Sequence, residues 1–344
     1  MATTFKTLVL DKDVANTRTL LHEAIPLTGT IVSGTYADEN IKNYAHGMFQ
    51  SVYDYPYLSS SANHIFDLTV GYSANSGLSG TASVQNSKKI NIYNQMAQVL
   101  VGYDLTGSIR EFDQDGNLAA GGAKLQECLF VNFSRLLTKD EVKKGSFIMT
   151  ALTGGTPAAP TDALTISDYG AASTYLTNSP AGEYAPLYTS SVGITPTSGI
   201  GLLYYQAGIA VLTASVFDGT FGAPAATYDT SSIDAVLTGS QISSSCDGIR
   251  NRWQDCDFNN TTELNSTIYF CRAASNEFNY SSNPTYLSGS KIRVKNESTD
   301  PPSSFITTIG LYSEDNELLA VAKVSEPLKK DPSTELTLRV RLDY

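Results

Sequence analysis

The last ten residues, Glu335 to Tyr344, alternate polar and apolar without interruption. Leu336, Leu338, Val340, Leu342 and Tyr344 share one face, and Glu335, Thr337, Arg339, Arg341 and Asp343 share the other, the period of a half-buried strand. Ten extended residues reach roughly 33 Å, and an edge of that length left open invites uncontrolled pairing. The segment is therefore expected to be pinned inside its own sheet or paired with a neighbouring subunit. Two further strands precede it. Phe305, Thr307, Ile309 and Leu311 alternate up to Tyr312, SEDNE supplies a turn, LLAVAKV returns, and EPLKKDP loops across. Residues 304–344 thus read as a three-stranded meander with one wet face.

Helical spacing occurs in the first third. Ile41, Tyr44, Ala45, Met48 and Val52 fit one helical face, as do Ile90, Tyr93, Met96, Ala97 and Leu100, with Asn86 or Ser87 placed to cap the second helix. TKDEVKKG predicts a third, short helix with a Thr138–Glu141 capping box and Gly145 as its stop. KLQECLFVNF reads as a buried strand, GLLYYQAGIAVLTASVF as two β segments around Gln206–Gly208, and STIYFCRA and GSKIRVKN as further strands.

Composition sharpens this picture. Tyr occurs 20 times against one Trp, and Gly, Ser, Thr and Asn fill the place of charged residues, which make up only 17%; that mixture suits short strands joined by many turns. No Lys, Arg or His occurs from Gly145 to Ile249, so this stretch has no cations for salt bridges and is expected to be buried or to meet neighbours through neutral contacts. The expected class is α+β and β-rich, with antiparallel sheets or a sandwich and a few short helices in the N-terminal third. The expected organisation is a mixed domain at 1–145, a cation-free β-rich layer at 146–249, and a β-rich region at 250–344.

The net charge of −11 argues against nucleic acid or an anionic membrane as partner. The N-terminus lacks the apolar core of a secretory signal, and Ile200–Phe217 reads as buried strands rather than a membrane span. Site chemistry is sparse. His22, His46 and His64 have no partner at metal-ligand spacing. Asp113, Asp115 and Asn117 resemble the start of a calcium loop, but the glycine falls at the fourth place and no glutamate closes it, so a hairpin turn at Asp115–Gly116 is expected. Cys128 reads as a core thiol; Cys246, Cys256 and Cys271 leave open free thiols, one local disulfide, or a metal. No catalytic, cofactor or metal residues are assigned, and the chain is not expected to be an enzyme.

ITTIGLYSEDNELLAVAKVSEPLKK resembles a hairpin, Lys-rich loop and final strand found in tail and baseplate proteins of contractile-tailed bacteriophages. AHGMFQSVYDYPYLSSSANHIFDLTVGYS and SPAGEYAPLYTSSVGITPTSGIGLLYYQAGIAVLTASVF are similar to structural proteins of large myoviruses, including those of cyanobacteria. The resemblance implies a virion structural protein, assembled in the host cytoplasm, whose partners are other tail or baseplate proteins or further copies of itself. Leu336, Leu338, Arg339, Val340, Arg341, Leu342 and Tyr344 are the candidate assembly residues. A receptor- or glycan-binding fibre module using Tyr53, Tyr55 and Tyr57, and a capsid or neck protein, are the alternatives.

Overall fold

The computed structural model describes residues 5–27, 38–80, 83–118, 121–195, 197–217, 221, 232–281, 283–284, 287–288, 291–292, 299 and 302–344. In chain order the strands are β1 (Val14–Pro26), β2 (Ile41–Asn43), β3 (Gln50–Tyr53), β4 (His64–Tyr72), β5 (Phe112–Asp113), β6 (Lys124–Leu125), β7 (Glu127–Phe133), β8 (Glu141–Val142), β9 (Ile148–Thr156) and β10 (Ala159–Ser167). They continue with β11 (Leu176–Ser179), β12 (Gly182–Leu187), β13 (Gly201–Tyr204), β14 (Ile209–Thr213), β15 (Trp253–Ala273), β16 (Leu287–Ser288), β17 (Lys291–Ile292), β18 (Ser304–Tyr312), β19 (Leu318–Lys330) and β20 (Leu336–Asp343). The helices are α1 (Leu10–Asp13), α2 (Val84–Leu100), α3 (Arg135–Thr138), α4 (Ala171–Thr174), α5 (Ile233–Gly239) and α6 (Ile242–Arg252). Strand outweighs helix and the paired strands run antiparallel, so the fold is β-rich α+β as expected. The helices are not gathered in the N-terminal third, since α5 and α6 lie far beyond it.

The chain forms two compact units, Leu21–Thr262 and Met1–Leu20 with Glu263–Tyr344. The expected breaks at 145 and 249 both fall within the larger unit, and β1 and β15 each cross the division.

The larger unit is built on an eight-stranded sheet in the order β11-β12-β13-β14-β7-β4-β3-β2. Its centre is β7, the apolar run Glu127–Phe133, paired with β4 on one side and β14 on the other. Phe66, Leu68, Val70, Leu129 and Val131 are buried, and Trp253 stacks on Phe66 with ring centroids 4.7 Å apart and planes 3° apart. β9 and β10 form a hairpin held to the start of β15. The fully buried Arg252 caps that hairpin by donating to the carbonyls of Leu152, Gly154 and Gly155.

Helix α2 follows its predicted span, but its cap is Ser83, whose hydroxyl accepts from Asn86 N, rather than Asn86 or Ser87. The helix crosses β4 so closely that a Cβ at Gly71 would stand 2.7 Å from the Lys89 carbonyl oxygen and 2.8 Å from Tyr93 N. Lys89 itself is fully buried and donates to the Leu237 and Ser240 carbonyls at the end of α5. It thereby satisfies acceptors that the helix terminus leaves open. Burial pushes its ammonium down to about 8.

Other expectations are corrected. The predicted helix around Ile41–Val52 is the β2–β3 hairpin, with Ile41 opposite Val52. A turn from Tyr44 O to Gly47 N, with Gly47 at φ +62°, breaks the helical path. The capping box at Thr138–Glu141 does not form: α3 ends at Thr138, Lys139 takes φ +56°, and Glu141–Val142 pairs with β15. GLLYYQAGIAVLTASVF folds as the predicted pair β13 and β14. GSKIRVKN is described only at β17; the rest lies outside the described residues. All four cysteines are free thiols, three of them buried.

Two outcomes follow. Gly71→Ala forces backbone against backbone and should destabilise the larger unit by about 2–3 kcal/mol, read by chemical denaturation followed through Trp253 fluorescence. For Lys89 the native state holds the proton less tightly than the unfolded chain, so between pH 8 and pH 10.5 this group makes stability rise with pH. Wild type should therefore gain stability relative to Lys89→Met as pH is raised from 8 to 10; parallel pH profiles would contradict this.

Candidate assembly surface

Among the described residues the hydrophobic core lies between Leu27 and Phe258, inside the larger unit. In the smaller unit, Ala273 and Val340 are the only buried apolar side chains among the described residues. Its innermost groups are polar. Lys330 is 0% exposed and donates to Asn279 Oδ1 at 2.7 Å, Asp331 O at 2.9 Å and Ser275 O at 3.3 Å. The Ser304 hydroxyl donates to Phe278 O at 2.5 Å. This knot ties the open ends of β18 and β19 to the turn after β15, because Ser304 pairs with Lys330 at that end of the hairpin. A buried ammonium satisfied by three acceptors fixes geometry, but it supplies none of the stabilisation of apolar burial.

The strand Leu336–Asp343 is pinned in its own chain, the first of the two expected outcomes. It pairs with β15 from Asp343 opposite Ser266 to Leu336 opposite Ala273, and Tyr344 and Asn265 exchange backbone hydrogen bonds. It does not complete a meander: β18 and β19 form a separate two-stranded sheet. β19 also runs through EPLKK to Lys330, where a loop was expected. The turn before β20 is set by Asp331, whose carboxylate accepts from the Ser333 and Thr334 hydroxyls and Ser333 N. Those bonds hold its pKa down to about 2.

The alternation of β20 holds as read. Leu336, Leu338 and Leu342 are half-buried and Val340 is buried, while Thr337, Arg339, Arg341 and Asp343 are exposed. Arg341 is tied to Asp343 at 2.7 Å and to Ser266 Oγ at 3.0 Å. Tyr344 leaves three quarters of its surface exposed, its hydroxyl 3.1 Å from Thr267 Oγ1.

The more informative surface is the hairpin. A register shift lies between Ile306 and Thr308, where β19 advances from Leu328 to Lys323 against two residues of β18, and Ile306, not Phe305 or Thr307, shares the half-buried class of Ile309 and Leu311. Cross-strand pairs Ile306–Leu328, Ile309–Ala322 and Leu311–Ala320 make that face aliphatic, and Val324 extends it. None of these side chains is buried. A two-stranded ribbon is marginal in water without something packed on it, and each large aliphatic side chain fully covered adds about 1.5–3 kcal/mol. Phe305, Leu318, Leu319 and Val321 are exposed as well.

The larger unit offers less site chemistry. His64 Nε2 and the Ser51 hydroxyl both bind Asp67 Oδ1, at 2.8 and 2.5 Å. No hydrogen bond links Ser51 to His64 among the described residues; Asp67 stands between them. Beside them a cavity of about 440 Å³ is lined by Met48, Phe49, Asp67, Ile92, Phe130 and Asn132. His46 Nδ1 accepts from Met48 N, and His22 Nδ1 lies 3.2 Å from Thr261 Oγ1. Asp113 pairs with Lys124 across the β5–β6 hairpin, and Asp115 binds Asn117. These carboxylates stabilise a turn, with Gly116 at φ +74°. No group of His, Cys, Asp and Glu suited to a metal occurs among the described residues, and no helix among them is long and apolar enough to cross a membrane.

Comparison with protein-family models, with curated proteins and with solved structures finds no match.

Lys330→Met removes the donor from three carbonyl-type acceptors and should loosen the smaller unit alone. Amide exchange across 304–330 should accelerate at least tenfold, the equivalent of about 1.4 kcal/mol or more, with Trp253 emission unchanged; unchanged exchange would show that the knot does not hold the hairpin.

Proposed function

We propose that the chain is a virion structural protein, a tail or baseplate component that becomes complete only among its neighbours. The observation that carries this reading is the smaller unit. Among its described residues it has strands, turns and a fixed register but almost no buried apolar side chain, and its hairpin presents an aliphatic face that is half-covered. A protein working by site chemistry would need reacting side chains held rigidly together; here the unusual feature is unfinished packing. The resemblance of ITTIGLYSEDNELLAVAKVSEPLKK to tail-protein hairpins falls on these same strands. The acidic balance of the chain disfavours a nucleic-acid partner.

A fibre module that binds a receptor glycan is the second reading. Tyr55 is 58% exposed, where packing alone would bury it, and Tyr53 contacts the rings of Tyr57 and His64.

Peptide mass spectrometry of purified particles, separated into head and tail fractions, should find the chain in the tail fraction at a fixed ratio to the sheath protein. Recovery only from lysate outside particles would contradict the structural reading. A glycan array with reproducible hits that vanish in Tyr55→Ala would favour the second reading; no hits would remove it.

A further inference from the structure

The hairpin face has a shape as well as a composition. β18 contributes the large side chains Ile306, Ile309 and Leu311, whereas β19 sets Ala322 opposite Ile309 and Ala320 opposite Leu311. Over Ile309 and Leu311 the face is therefore a ridge beside a shallow groove, bounded on β19 by the larger Val324 and Leu328. A surface of this form is self-complementary, because the ridge of one copy fits the groove of another and the relation is reciprocal.

Edge pairing is the weaker alternative. β19 carries Lys323, Pro327 and Lys329, and the ribbon has two register shifts. Proline, lysine and bulges are the features by which edges avoid pairing. The face carries no such guard.

Charge distribution points the same way. The smaller unit has 12 Lys and Arg against 13 Asp and Glu, a net of −1, and the larger has 11 against 21, a net of −10. Two larger units brought together repel each other, whereas two smaller units meet without that cost. Contacts between copies are thus favoured at the smaller unit.

We infer that the aliphatic face of β18 and β19 is covered by the same face of a further copy of this chain, the Ile309 ridge of one seated in the Ala320–Ala322 groove of the other. This deepens the proposed function by naming the chain itself as the nearest neighbour. The ridge and groove make the contact selective. An unrelated apolar surface would tolerate a larger side chain in the groove, and a second copy would not.

Light scattering coupled to size exclusion on the full chain tests this, at concentrations up to about 100 µM. Wild type should give a multiple of the 36.9 kDa chain mass. Ile309→Glu and Ala322→Phe should each give the single-chain mass, with Trp253 emission unchanged as the sign that the larger unit is folded. Ala322→Phe raises the apolarity of the face, so loss of association there cannot be ascribed to a weaker hydrophobic effect. A monomeric wild type, or an Ala322→Phe variant that stays associated, overturns the inference. A monomeric wild type that is nevertheless found in tail fractions would leave the structural role standing with a different protein as the neighbour.

Discussion

A sheet face that its own chain leaves half-covered is the constraint on which the rest of this molecule turns. Folding is driven chiefly by removing apolar surface from water, and among the described residues nearly all of that removal happens between Leu27 and Phe258. The larger unit has an eight-stranded sheet with its centre at β7, and Trp253 and Phe66 are stacked in its interior. The smaller unit has hydrogen-bonded strands of comparable length but, among its described residues, almost no apolar interior. Backbone hydrogen bonds contribute modestly on balance because water offers the unfolded chain equivalent partners. Ordered strands without a core therefore depend on what covers them.

Polar groups take the place of the missing core without replacing its energy. Lys330 with Asn279, Ser275 and Asp331 fixes where the hairpin starts, and Asp331 with Ser333 and Thr334 fixes where β20 begins. The pairing of β20 with β15 then sets which side chains face outward. These interactions choose one arrangement of strands, so the aliphatic row on β18 and β19 is held in a defined geometry by the chain's own bonds. Precise presentation with little stabilisation of its own is what the proposed role in an assembly calls for.

The strands were legible where alternation was long and turns were marked by residue type. β20 could be read residue by residue, and β13–β14 followed from their apolar runs and turn residues; Asp115–Gly116 does turn the chain, but inside a longer loop, 114–123, rather than as the hairpin turn expected. Ile41–Val52 misled because its apolar positions satisfy helical spacing as well as a hairpin, and only Gly47 at positive φ decides between them. α5 was missed although Ser232 caps it and Ile233, Val236 and Leu237 carry helical spacing. The pairing of β20 with β15 joins residues far apart in the chain, and no local pattern specifies such a partner. Alternation shows which side chains share a face; it does not show whether anything covers that face. The open surface of the hairpin became visible only with the fold.

The most direct measurement is hydrogen exchange across Ile306–Leu328 in the purified chain, followed over a hundredfold dilution. If the hairpin is held by neighbours, protection there falls as the protein is diluted while the amides of β4 and β7 keep theirs. Protection of the hairpin that stays constant across the dilution, equal to that of β4 and β7, would show that the smaller unit stands by itself and would contradict the account.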